Sequence, residues 1–344
     1  MRTPYLTELK DLVLLHARAQ GIRPAECASV LARVTAETGP SAGSWPLVWA
    51  AEGDRAADPL QASRRYNLAR FPYVDGGERA EALARCVAAF GRWAATAPGV
   101  EALDVPVPGG TMRCWAAGLD RDRPLLVVTG GIVSIKEQWG AFLLAAPRLR
   151  MSVVVAEMPG VGENPLTYGP EAVGMFPAIL DAVAGRARTE ETYAVALSFG
   201  GNLALHWSLT DPRLRGLVTV GAPVSALFAD EGVWARLPQT TVRTLTHLTR
   251  VAEGDVREHL SPLALTPARL GRIDIPVRYA VSRRDEIIPA SEPRLLAGHL
   301  PRFRAVEFDD VHGSPNHLAR TRLWVVGSLL RMRAQRRLMR RAVA

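Results

Sequence analysis

Residues 191–201, Glu-Thr-Tyr-Ala-Val-Ala-Leu-Ser-Phe-Gly-Gly, carry an apolar run straight into a serine set among small residues. Thr192–Leu197 is nearly continuous in its hydrophobicity, as a strand buried on both faces must be. The following Asn202–Leu209 has the composition of a helix. A chain that turns from strand to helix this quickly has room only for small residues two positions either side of the turning residue. Ala196 and Gly200 meet that demand, with Gly201 giving further space, although Ala196 stands where glycine is commoner. The turn lifts the Ser198 hydroxyl above the strand end, at a helix N-terminus. There the backbone N–H of Phe199 points at the same space. Serines between small residues are common in ordinary turns, so the reading depends on partners.

The partners occur in the required order. Asp285 follows the apolar run Ile275–Val281, and His312 follows Arg304–Asp310. A histidine after the last strand can reach back to accept the serine proton, and an acid after the penultimate strand can hold its tautomer. The 27 residues between them accommodate one helix and one strand. Glu286 competes with Asp285, and His317 competes with His312. A second oxyanion donor, beside Phe199, is expected from Gly131 or Ile132, because the Gly130–Gly131 pair lets backbone N–H groups approach an oxygen closely. Ser134 is placed to cap the next helix. Lys136 and Glu137 read as a structural pair, and the loop Glu157–Glu163 as part of the rim.

Outward from this centre, six short apolar runs begin near residues 124, 151, 191, 216, 275 and 304. They alternate with segments long enough for crossover helices. A hairpin around Gly109-Gly110 precedes them. Residues 1–99 are rich in Ala, Arg and Leu at helical spacing, with Thr7 as an expected cap and Gly21 as a stop for the first helix. A second helical interval, about 224–270, interrupts the strand pattern. The expected fold is therefore α/β, of the α/β-hydrolase type: a mostly parallel sheet with helices on both faces and a helical cap. Residues 1–99 form an N-terminal cap region. Residues 100–344 form the core, which carries the insertion. Tyr66, Phe71 and Tyr73 are expected to wall the substrate pocket.

Composition bounds the alternatives. Hydrophobic residues make up 48% and charged residues 22%, a globular balance. No apolar run approaches the ~18 residues of a membrane helix. The first dozen residues mix in charge, unlike a signal peptide. Cys27, Cys86 and Cys114 are odd in number and far apart, which fits neither a disulfide framework nor zinc, so a cytoplasmic setting is expected. The other histidines, His16, His206, His247, His259 and His299, lack ligand spacing, and no dinucleotide fingerprint is present. Neither metal nor cofactor is expected. The net charge of +8 owes six arginines to residues 331–344, which hold no acid. That points to one basic helix face rather than a nucleic-acid groove. A small-molecule substrate is expected, with no nucleic acid and no membrane, and a homodimer stays open.

Several stretches together resemble the FrsA-like α/β-hydrolases, a group that includes the 2,6-dihydropseudooxynicotine hydrolase type. Gly130-Gly131-Ile132 with Ser134 and Lys136-Glu137 resembles their GG-x-x-S-x-K-E. Pro159–Glu163 resembles the end of their D-x-P-G-x-G-E, with Glu157 where aspartate is usual. Ser198–Asn202 matches their elbow, and Asp285 and His312 match their later triad members. The resemblance runs from about residue 60 to the C-terminus. It implies a helical cap over the site and attack on esters or on C–C bonds next to carbonyls. Resembling proteins also tailor polyketides, including acetate elimination during tetronate formation. Three readings follow: hydrolase, carboxylate-expelling lyase, and a fold retained only for binding.

Overall fold

The structure, a computed structural model, describes residues 4–343. Met1–Thr3 of the charged N-terminal stretch and Ala344 of the basic tail lie outside the described residues. Eight strands form one sheet: β1 Val100–Val107, β2 Gly110–Ala117, β3 Pro124–Thr129, β4 Ser152–Ala156, β5 Arg188–Ala196, β6 Leu214–Val220, β7 Val277–Ser282 and β8 Phe303–Phe308. Their order is β1-β2-β4-β3-β5-β6-β7-β8. Only β2 runs antiparallel to its neighbours. The hairpin joining β1 to β2 pairs Val107 with Gly110 across a two-residue turn. The central strands β3 and β4 are buried along their whole length, as their unbroken apolar sequence requires.

Helices cover both faces. Before the sheet come α1 Tyr5–Ala19, α2 Pro24–Ala32, α3 Trp45–Asp54, α4 Pro59–Ala69 and α5 Gly77–Ala94. Between strands lie α6 Gly140–Leu149, α7 Met175–Ala182 and α8 Phe199–Ser208. Five short helices separate β6 from β7: α9 Ala226–Ala229, α10 Glu231–Trp234, α11 Gln239–Thr249, α12 Val256–Leu260 and α13 Pro267–Leu270. Then follow α14 Ser291–His299 and the long α15 Leu318–Val343. The first helix starts at Tyr5 behind Pro4, not at an expected Thr7 cap, because proline fixes the φ of the residue that precedes the first turn.

Strand periodicity divides the core in two. Ala194 and Ala196 of β5 face a core with Leu203, Trp207 and Phe176, whereas Tyr193 and Val195 face one with Leu143, Val220 and Val325. The N-terminal helices hold a third cluster, built on Leu9, Val13, Trp45, Trp49 and Phe71. Two kinds of contact tie it to the rest. Glu8 of α1 accepts from the backbone N–H groups of Gln239 and Thr240 at 3.1 and 2.6 Å, so it caps α11. Arg18 of α1 donates to Asn316 at 2.7 Å, and Arg322 of α15 donates to the Ala19 carbonyl at 3.0 Å. Thus α1 spans from α11 to the start of α15. No described helix is long and apolar enough to cross a membrane.

Candidate active site

Ser198 occupies the turn between β5 and α8 with φ 52° and ψ −130°. A non-glycine residue holds such a conformation only where its surroundings fix it. Here its N–H donates to the Val220 carbonyl at 2.8 Å, while Gly201 donates to the Ser198 carbonyl at 2.8 Å. The small neighbours are required. A Cβ at Gly200 would stand 2.5 Å from the Gly130 carbonyl oxygen, and one at Gly201 would stand 2.1 Å from the Thr219 hydroxyl.

Ser198 Oγ is 2.9 Å from His312 Nε2. On its far side, His312 Nδ1 is 2.9 and 3.0 Å from the two carboxylate oxygens of Asp285. Asp285 Oδ1 also accepts from the backbone N–H groups of Ile287 and Ile288, at 3.0 and 2.8 Å. Those bonds hold the carboxylate as an acceptor and fix its direction. Glu286 takes a different part: its carboxylate accepts the backbone N–H of His312 at 3.0 Å. It steadies the histidine loop without touching the imidazole. His317 is turned away, 2.9 Å from Asp310 and stacked on Phe308. Burial of His312 opposes its charge, but Asp285 and then Glu286 outweigh it and hold the imidazole above its ordinary value.

The residues expected to supply the oxyanion donors lie beside the serine. The Cβ position of Gly131 is 3.2 Å from Ser198 Oγ. Gly131, Ile132 and Phe199 line the cavity with Ser198 and His312. None of these three backbone N–H groups has an acceptor among the described residues. Ser134 makes no capping bond, because a 3-10 turn over Lys136–Trp139 intervenes before α6; the buried Glu157 carboxylate accepts the Lys136 N–H instead.

The expected aromatic wall is corrected. Tyr66, Phe71 and Tyr73 do not line the cavity. Tyr66 packs against Gly53 and donates to Asp54 at 2.6 Å. Tyr73 stacks on His247 of α11, with ring centroids 4.8 Å apart. Phe71 is one side chain removed: it lies 4.9 Å behind the ring of His16. His16 does reach the cavity, with Leu12, Leu15 and Ala19 of α1. Its ring makes no hydrogen bond among the described residues. Burial, then the positive charge of Arg70 and the neighbouring His312, push it down to about 3, so it stays neutral.

Three further residues matter that the sequence did not single out. His16 lacks ligand spacing, and its one signal in the sequence is a polar ring on the flank of an amphipathic helix. The fully buried Arg70, between the aromatic residues, donates to the Val133 carbonyl at 2.5 Å and braces the loop that carries Gly131. Gly221, at the end of β6, has φ +58°, and a Cβ there would meet His312 Cε1 at 2.9 Å and Asp285 Oδ2 at 3.3 Å. Among the described residues, no group of three or more His, Cys, Asp or Glu is arranged to hold a metal ion.

The strand order and the serine's strand–turn–helix setting make this protein an α/β-hydrolase. No family model matches the chain. Among solved structures, wild-type AbyA5 is 48% identical, with a TM-score of 0.92, over 96% of this chain and 95% of that one. Among curated relatives, Esterase FrsA of Citrobacter koseri is 26% identical over 73% of this chain, which spans 66% of that protein's length. Esterase FrsA of Klebsiella pneumoniae strain 342 is 23% identical over 88% of this chain and 83% of its own. The structure of the 2,6-dihydroxy-pseudo-oxynicotine hydrolase shares the fold, with a TM-score of 0.75 at 19% identity over 92% of this chain and 94% of that one. The chain belongs to the FrsA-like α/β-hydrolase family.

Proposed function

We propose that Ser198, His312 and Asp285 act as a catalytic triad on an ester, or on a C–C bond next to a carbonyl, in a small and largely apolar metabolite. The observation that carries this is the unbroken hydrogen-bonded path from Ser198 Oγ through His312 to Asp285, opening on a cavity of about 380 Å³. His312 accepts the serine proton as Oγ attacks the carbonyl carbon. Phe199 and either Gly131 or Ile132 donate backbone N–H groups to the resulting oxyanion. The leaving group takes the proton from His312, and water then releases the acyl group from Ser198. Residues 1–99 and the 224–270 insertion serve as the cap. Supporting this, α1 and α11 each contribute cavity residues, His16 and Thr241 among them.

The family resemblance, which takes in proteins that eliminate acetate during tetronate formation, favours a second reading. In it the same pair removes a proton from carbon next to a carbonyl, the electrons form a C=C bond, and a carboxylate such as acetate leaves. Turnover of an acylated β-oxygenated carbonyl compound in oxygen-18 water separates the two. Hydrolysis puts one heavy oxygen into the released acid. Elimination releases unlabelled acid and an alkene. Absence of any turnover across a panel of esters and β-dicarbonyls would overturn both in favour of a binding role.

A further inference from the structure

The cavity under Ser198 is deeper than attack on a carbonyl requires. In the sheet order β2-β4-β3-β5-β6, α6 packs on β2 and β4, whereas α15 packs on β6. Both helices follow a strand end and run back along the same face, so they straddle β3 and β5. Ser198 surmounts β5, and a gap lies below it. Phe142, Ala145 and Leu149 of α6 form one side, Val325 and Val326 of α15 the other, and Val195 of β5 the floor. Two lengths agree on its depth. From Phe142 to Leu149 the helix rises ~10 Å. Val195 precedes Ser198 by three residues, at most ~10 Å for an extended chain. Ala145 leaves the middle of the slot open, where a larger side chain would close it. These six residues are apolar; Thr321 and Arg322, one turn earlier on α15, line the same cavity nearer the mouth-side end of the helix.

We propose that this slot is a subsite for an unbranched, medium-length alkyl chain, borne by the substrate on the group that meets Ser198. The assignment rests on Ser198 being the reacting residue. A polar substituent placed among these six side chains would lose water with no partner in exchange, which disfavours it there. Each methylene that enters adds roughly fourfold in affinity, so chain length becomes the selected property.

Two probes test this. Alkyl fluorophosphonates label an active serine: the Oγ–P bond forms, the P–F bond breaks with loss of fluoride, and the serine proton passes to His312. Intact-mass kinetics should find octyl fluorophosphonate modifying the full chain at least tenfold faster than the methyl analogue. In Ala145→Phe or Val326→Phe that advantage should vanish while the methyl rate stays within twofold of wild type, which also reports an intact fold. Calorimetric titration with octanamide and butanamide needs no reaction. Octanamide should bind at least tenfold tighter to wild type, and Ala145→Phe should remove the difference. Equal binding of the two amides, or a preference untouched by both plugging variants, overturns the slot. Failure of the methyl probe to modify Ser198, with the amide preference intact, would instead count against the triad.

Discussion

Asp285 and Glu286 are adjacent carboxylates, and their order along the chain does not say which one faces the imidazole. Three backbone directions decide it: Ile287 and Ile288 donate to Asp285, while the His312 N–H goes to Glu286. Asp285→Asn is therefore expected to lower kcat by several powers of ten, by leaving the wrong tautomer at His312. Glu286→Gln should cost less than tenfold, because it retains an acceptor for the backbone N–H. The pH profile checks the same assignment. Only neutral His312 accepts a proton, and its value is held above the ordinary 6.5. Thus kcat/KM should climb with pH through an apparent value above 6.5, and in Asp285→Asn the residual limb should move to lower pH. The paired, protonated imidazole also stabilises the fold below pH 6.5, a contribution lost as pH rises through the folded-state value. Gly221→Ala is a second test. The added methyl would press on His312 and Asp285 in a positive-φ position, and kcat should fall about a hundredfold while the protein still folds, as circular dichroism and Tm would report. The serine and the acid could be placed because each follows an apolar run of strand length; the run before His312 is poorer in apolar residues, carrying Arg304 and Glu307, and the histidine was placed by its position after the last strand. Gly221 was not, because a glycine after a strand looks the same whether or not a triad presses on it.

The loop–turn–helix after β3 shows where local signals stop. Gly130 and Gly131 marked the loop, but the sequence could not tell that Lys136 and Glu137 belong to a buried charge cluster. Lys136 is wholly buried and lies 3.2 Å from Glu137, 3.1 Å from Glu157 and 2.7 Å from Glu163. Trp115 donates to Glu137 at 2.9 Å. Burial pushes Glu157 up to about 7, with Lys136 opposing and Glu137 adding to the rise. One ammonium thus serves three carboxylates and ties this loop to the β4 loop. Lys136→Met leaves those carboxylates uncompensated and should destabilise the fold by about 3–5 kcal/mol, read as a lower denaturant midpoint. Adding Glu157→Gln should restore part of the loss. The unbroken apolar runs of β3 and β4 needed no such context, which is why the strands were legible and the cluster between their ends was not.

How the N-terminal helices meet the sheet depends on contacts between residues hundreds of positions apart, such as Arg18 with Asn316, and no pattern within either segment encodes them. Helical spacing in residues 1–99 was readable; the face turned to Ser198 was not. The aromatic cluster drew attention to Tyr66, Phe71 and Tyr73, yet those rings pack among the helices, and α1 supplies the wall. The buried stripe Leu9–Val13–Ala17 of α1 goes into the helices' own core, while the neighbouring flank carrying Leu12 and His16 meets the cavity. The family resemblance implies a helical region over the site, an expectation that no pattern within either segment carries. All of this bears on catalysis only if Ser198 is the nucleophile. Hydrolysis of p-nitrophenyl acetate by wild type and Ser198→Ala, purified side by side, measures that. The triad requires at least a thousandfold loss in kcat/KM with Tm shifted by no more than a few degrees; turnover by Ser198→Ala within tenfold of wild type would contradict it.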